Sequence, residues 1–175
     1  GSINLLECCR KFDVKKFVYS SSGARFAESN SLLKENSLVD PETPYAISKY
    51  IVELFLKFYR KVYDLDYIAL GYSNVYGPRQ INGVIPIFIQ RMLAKQPPVI
   101  FGDGNQTRDF IFVEDVVEAT ALAANKTKSF YLNISTGKET SINQVYFLIK
   151  NIANFYGHPL FEPAVKGETR KSCLD

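Results

Sequence analysis

A tyrosine and a lysine four residues apart, in Tyr45-Ala46-Ile47-Ser48-Lys49, follow Pro44, with the run Ser20-Ser21-Ser22 upstream. Residues four apart lie on one face of a helix, so the Lys49 ammonium would sit beside the Tyr45 phenol. Positive charge there favours phenolate and turns a group that ordinarily keeps its proton to about pH 10 into a base usable near neutrality. A serine hydroxyl brought alongside, that of Ser22, can hydrogen-bond a substrate oxygen and complete a proton-transfer site. The spacing alone is a weak signal. With 11 tyrosines in 175 residues, about one match arises by chance, and a second pair is present at Tyr146-Phe147-Leu148-Ile149-Lys150. No serine-bearing strand end precedes that second pair, and its tyrosine is expected in the core.

The elements that must position Tyr45, Lys49 and Ser22 follow from hydrophobic periodicity. A helical pattern over 3–12 leads to the apolar run Lys16-Phe17-Val18-Tyr19-Ser20, which suits a buried strand. Residues 22–43 form a polar loop punctuated by Asp40-Pro41 and Thr43-Pro44. Ile47, Ile51, Leu54, Phe55 and Phe58 then recur at helical spacing over 45–63, and 67–72 reads as the next strand. Helix, strand, loop, helix, strand predicts an α/β fold built on a doubly wound parallel sheet. Such sheets bind ligands at the carboxyl ends of their strands, which is where Ser22 falls.

Beyond residue 73 the elements shorten. We expect a loop over 74–79, a helix over 84–93, strands over 98–101 and 109–113 with a tight turn at Gly102-Asp103-Gly104-Asn105 between them, and a helix over 114–124. A strand over 130–134, a helix capped by Ser141 running to about 155, and a last strand over 161–165 complete the pattern. Residues 1–73 read as one unit and 74–175 mainly as a second, smaller mixed α/β lobe, with about 108–134 returning to the sheet.

Composition narrows the function classes. A net charge of +3, with both signs interspersed, gives no nucleic-acid footprint. No apolar run approaches bilayer length. Cys8 and Cys9 are adjacent and Cys173 is distant, the pattern of reduced thiols and a cytoplasmic protein. The triplets beginning at Asn105, Asn125 and Asn133 match glycosylation acceptors and are read as chance. His158, the sole histidine, is too isolated to ligate a metal. Gly1-Ser2 runs straight into a mid-helix pattern, and Lys171-Ser172-Cys173-Leu174-Asp175 offers no closing element, so both ends read as cut.

Four motifs occur in order: Ser20-Ser21-Ser22, Pro44-Tyr45-Ala46-Ile47-Ser48-Lys49, Asn74-Val75-Tyr76-Gly77-Pro78-Arg79-Gln80, and Gly102-Asp103-Gly104-Asn105-Gln106-Thr107-Arg108-Asp109-Phe110. Together they resemble the extended short-chain dehydrogenase/reductases, specifically the NAD-dependent epimerase/dehydratase group acting on nucleotide sugars, and within it the UDP-glucose 4-epimerase branch. The dehydratase branch is less similar, because it places Asp-Glu after the catalytic Ser/Thr where this chain has Gly23-Ala24.

The resemblance implies a Rossmann-like fold, NAD as cofactor, a UDP-hexose as substrate and a homodimer paired through the helix of Tyr45 and the helix before it. It implies a catalytic set of Ser22, Tyr45 and Lys49, and cofactor contacts from Ser20, Tyr45, Lys49 and Tyr72. It further implies substrate contacts from Ser22, Asn74, Val84, Val99, Phe101 and Arg108, with Arg170 or Lys166 replacing a missing second phosphate contact. Asn74 and Arg108 would meet the diphosphate, which a forked guanidinium suits, and Phe101 would stack on uracil. Each has a plainer reading: Arg108 in a surface ion pair with Asp109 or Glu114, Phe101 in the core, Asn74 fixing its own loop. A 4,6-dehydratase or decarboxylase of the same superfamily, or a non-catalytic nucleotide-sugar-binding fragment, are the rival functions.

Departures from the family pattern are specific. Gly71 and Ser73 stand where Arg and Phe are usual, Arg25 replaces a Val, Phe26 replaces a Tyr, and Val165-Lys166-Gly167-Glu168 lacks an arginine. No Gly-x-x-Gly-x-x-Gly loop, which would hold the dinucleotide, occurs in the 175 residues. We therefore expect residues 1–175 alone to bind NAD poorly.

Overall fold

A computed structural model describes residues 1–126, 128–167 and 169–175. Thr127 of the Asn125-Lys126-Thr127 triplet and Glu168 of the Val165–Glu168 segment lie outside the described residues.

The elements in chain order are α1 (Ser2–Lys11), β1 (Lys16–Ser22), a 3-10 turn (Gly23–Arg25), α2 (Pro44–Tyr63), β2 (Asp66–Tyr72), β3 (Asn74–Tyr76), α3 (Val84–Leu93), β4 (Val99–Phe101), β5 (Thr107–Arg108), β6 (Phe110–Phe112), α4 (Val113–Ala124), β7 (Phe130–Ile134), β8 (Thr140–Ser141), α5 (Ile142–Ile152), β9 (Leu160–Glu162) and β10 (Lys171–Ser172). The predicted parallel sheet is present in the order β1-β2-β7. Its register sets Ser21 opposite Gly71 and Ser22 opposite Tyr72.

β2 is buried on both faces, which is why it reads as an apolar run rather than an alternation. Tyr67 and Ala69 pack toward α1 and α2, with Leu6, Val52, Leu56 and Tyr59. Ile68 and Leu70 pack on the other face with Ala123 of α4. The Thr43 hydroxyl starts α2 by accepting the Ala46 N–H at 3.1 Å, with Pro44 in its first turn. Asp64 ends that helix in the left-handed conformation, at φ 58°.

The remaining elements form small two- and three-stranded sheets around a second core. Phe88 and Met92 of α3 meet Ile142, Val145 and Tyr146 of α5 over Ile100. Ser141 and Gln144 cap α5 reciprocally, at 2.7 and 3.1 Å. No helix of the described residues is long and apolar enough to cross a membrane.

Three local expectations are corrected. The stretch expected as a loop over 74–79 begins with a strand, β3, paired in parallel with β6. The strand placed at 161–165 runs instead over Leu160–Glu162, paired with β4. Residues 171–175, expected to hold no element, include a short strand: β10 pairs with β5, and Leu174, 1% exposed, packs on Phe26 and Leu33. Leu33 donates to Cys173 O, and Asp175 donates back to Leu33 O, both at 3.0 Å. A two-residue strand whose partners lie far away in sequence carries no periodic signal.

Candidate functional site

A cavity of about 640 Å³ opens at the carboxyl ends of β1 and β2. The end of β1, the first turns of α2, the Tyr72–Tyr76 stretch, Val84, Arg108 and the C-terminal Leu174 border it.

Tyr45 stands in the first turn of α2, 57% exposed. One turn on, the Lys49 Nζ lies 5.9 Å from the Tyr45 ring centroid and 5.5 Å from that of Tyr19. It donates to the Ser20 carbonyl at 2.8 Å. Helix and strand end are thus joined by an ammonium that also faces the phenol. The Tyr19 hydroxyl donates to Lys49 O at 3.2 Å, and burial, with the Glu53 charge second, pushes that phenol up to about 12. Tyr19 therefore stays protonated and serves as a strut. The Ser22 hydroxyl oxygen accepts the Ala24 N–H at 3.2 Å as the cap of the 3-10 turn, which leaves its hydrogen to donate.

Other predicted residues fall in three places. Ser20, Tyr72, Asn74, Val84 and Arg108 border the cavity with Ser22, Tyr45 and Lys49. Tyr72 sends its hydroxyl to Thr120 of α4 at 2.8 Å. The Asn74 amide donates to Asp109 O at 3.2 Å and its own backbone N–H does so at 2.9 Å, so it fixes its segment while facing the site. Arg108 donates to Thr107 O at 2.7 Å. Its neighbour Asp109 is fully buried and accepts from Thr136 N, Thr136 Oγ1 and Gly137 N at 2.7–3.0 Å. Val99 and Phe101 line a separate hollow of about 410 Å³, apolar in character, which Val84 also borders. Arg170 lines neither; it forms an exposed ion pair with Asp103 at 2.8 Å. That pairing, with the Asn105 N–H, holds the Asp103 carboxyl down at about 2.

Beneath the site lies a buried polar group that the sequence reading passed over. Glu53 is 2% exposed, Ser21 3% and Arg25 5%. The Ser21 hydroxyl donates to Glu53 Oε1 at 2.5 Å, and Arg25 pairs with Oε2 at 2.5 Å. Burial pushes Glu53 up, against the opposing pull of Ser21 and Arg25. The available signal was position: Tyr45, Lys49 and Glu53 form one stripe at i, i+4 and i+8, and an acid sits where the helix should be apolar.

The donor set suits the reactive end of a dinucleotide: a phenol, an ammonium and a hydroxyl converge at the carboxyl edge of a parallel sheet. The second Tyr-x-x-x-Lys pair is different. Tyr146 is 2% exposed, and Tyr146 and Lys150 both donate to Gly157 O, at 2.9 and 3.0 Å.

Comparison with known proteins places the chain in a family. Residues 1–134 match the model of the NAD dependent epimerase/dehydratase family. A protein of Methanocaldococcus jannaschii is 46% identical over all of this chain and 59% of its own length. The crystal structure of the Thermotoga maritima UDP-glucose 4-epimerase with UDP-glucose superposes at a TM-score of 0.95 and 41% identity, over 99% of this chain and 59% of that one. The Thermus thermophilus UDP-glucose 4-epimerase, solved with NAD, superposes at 0.90 and 32% identity, over 99% and 60%. The chain thus spans about three-fifths of the length of these relatives.

Proposed function

The chain belongs to the NAD dependent epimerase/dehydratase family, and from that premise we propose that its parent protein is a UDP-hexose 4-epimerase interconverting UDP-glucose and UDP-galactose. The observation that carries this reading is the Tyr45 phenol, exposed at the cavity with the Lys49 ammonium behind it and the end of β1 alongside. Tyr45 takes the proton of the sugar 4-hydroxyl and later returns it. NAD, when bound, supplies the hydride chemistry at the same carbon. Lys49 offers positive charge to the phenol and a donor to the nicotinamide ribose, with Ser20 and Tyr72 completing that wall. Ser22 donates to the reacting oxygen. Arg108 and Asn74 face the diphosphate, while Val84, Val99 and Phe101 receive the uracil. Arg170 reaches a phosphate only by leaving Asp103.

Gly23 fits epimerase better than dehydratase: a Cβ there would lie 2.8 Å from the end of the Leu174 side chain, which would have to shift to admit an acid after Ser22. Residues 1–73 then serve as the second part of the NAD-binding unit and 74–175 mainly as the substrate lobe. Ile47, Ile51, Leu54, Phe58 and Val62 form a stripe on α2, each 45–50% exposed, which supports a homodimer through this helix.

Product analysis of the full-length protein tests the reading. Incubation with UDP-galactose should yield UDP-glucose; a 4-keto-6-deoxy product, a decarboxylated product from UDP-glucuronate, or no product from any UDP-hexose would overturn it. For residues 1–175 alone, which contain no glycine triplet for the pyrophosphate, calorimetry should detect no NAD binding in the micromolar range.

A further inference from the structure

The buried group behind the cavity ties the two halves of the site together. β1 is hydrogen-bonded to a strand on one side only among the described residues. All three serines at its end border the cavity, and Ser21, the buried one, turns its hydroxyl under α2. There it meets Glu53, two turns along the helix from Lys49. Lys49 in turn depends on the Ser20 carbonyl for its position.

Retaining a buried ion pair is not explained by stability alone, since apolar replacements of such pairs are often neutral or stabilising. This one is built with care. Arg25 reaches Glu53 from the 3-10 turn, with its guanidinium 4.0 Å from the Tyr131 ring centroid, 5.0 Å from that of Phe26 and 5.4 Å from that of Tyr50. Tyr131 occupies the space a Cβ on Gly71 would need, and Gly71 is the cross-strand partner of Ser21. Ser21 of β1 and Arg25 of the 3-10 turn thus meet on one α2 carboxylate, and the oxygen that Arg25 leaves holds the strand end.

We propose that Ser21 and Glu53 are positioning residues: Glu53, held in the core by Arg25, clamps the end of β1 to α2 through Ser21 and so sets the Ser20 carbonyl under Lys49 and Ser22 at the cavity. The activity arm of the test rests on the epimerase reading; the structural arm does not.

Ser21→Ala removes the clamp and leaves the Glu53–Arg25 pair. In the full-length protein it should lower kcat by about 10- to 100-fold, the scale of an ångström-sized misplacement, with KM for UDP-galactose within about twofold and Tm lowered by a few degrees, because Glu53 Oε1 loses its buried donor. Glu53→Gln removes the charge but keeps both contacts, since its amide can accept from Arg25 and donate to the Ser21 oxygen. That variant should lose several degrees of Tm yet keep kcat within about threefold. Unchanged kcat in Ser21→Ala, or kcat falling in step with Tm across both variants, would overturn the proposal. A crystal structure of Ser21→Ala decides independently of activity: Lys49 should leave the Ser20 carbonyl, and an unmoved Lys49 and Ser22 would equally overturn it. Absence of turnover in the wild-type protein would instead count against the epimerase reading.

Discussion

The two Tyr-x-x-x-Lys pairs have almost the same internal geometry. Lys49 lies 5.9 Å from the Tyr45 ring centroid and Lys150 lies 5.6 Å from that of Tyr146. Helical spacing sets that distance, and it says nothing about what faces the pair. In α5 both polar groups converge on the Gly157 carbonyl, and the tyrosine is sealed under Phe88 and Phe147. In α2 the lysine reaches across to a strand end while the phenol stays open to a cavity. What separates the proton-transfer group proposed for Tyr45 from the core fastening at Tyr146 is the element the helix packs on: a strand's carboxyl end in one case, a loop carbonyl in the other.

Substitution should separate the two pairs sharply. Tyr45→Phe in the full-length protein should reduce turnover by about 10³-fold or more, near the upper end of what general acid–base groups contribute, with Tm unchanged because the ring edge is exposed. Steady-state kinetics checks this, and a variant keeping one-tenth of wild-type kcat would refute the role assigned to Tyr45. Lys49→Met should cost about 100-fold in kcat, while Lys150→Met should leave kcat where it was. Equal losses in the two lysine variants would erase the distinction drawn here.

Legibility of the sequence follows the range of the interactions. α2 was readable because Thr43, Pro44 and a five-residue apolar stripe all lie within the helix or at its start. β2 was readable because burial on both faces leaves an apolar run. The Tyr45 site was legible through ordered motifs, whereas placements that depend on distant partners were not. Arg170 finds Asp103 across 67 positions, and Leu174 finds Leu33 across 141. Arg25 and Gly71 read separately as two departures from the family pattern. In the fold they belong to one arrangement: the absent side chain at 71 leaves room for Tyr131, whose ring covers the Arg25 guanidinium. Such compensation links side chains that no periodicity joins.

The smaller expected effects lie in α5. Tyr146→Phe keeps the buried ring and removes one hydrogen bond, so it should cost about 1 kcal/mol, or about 2–4 °C of Tm in a unit of this size, with kcat untouched. A fall in kcat exceeding that change would show that the second pair also serves the site. Lys150→Met should cost only a few tenths of a kcal/mol, because Gly157 O still accepts from Tyr146 and the methionine retains most of the aliphatic stem over the ring. The two substitutions share an acceptor, so they should not add. Each single variant leaves Gly157 O one donor; the double variant leaves it none, with water reaching a half-buried carbonyl only in part. Thermal melts of the set should therefore show the double variant less stable than the sum by about 0.5 kcal/mol. Strict additivity would mean that the two donors do not act on the same oxygen, and the contrast with Tyr45 and Lys49 would then rest on burial alone.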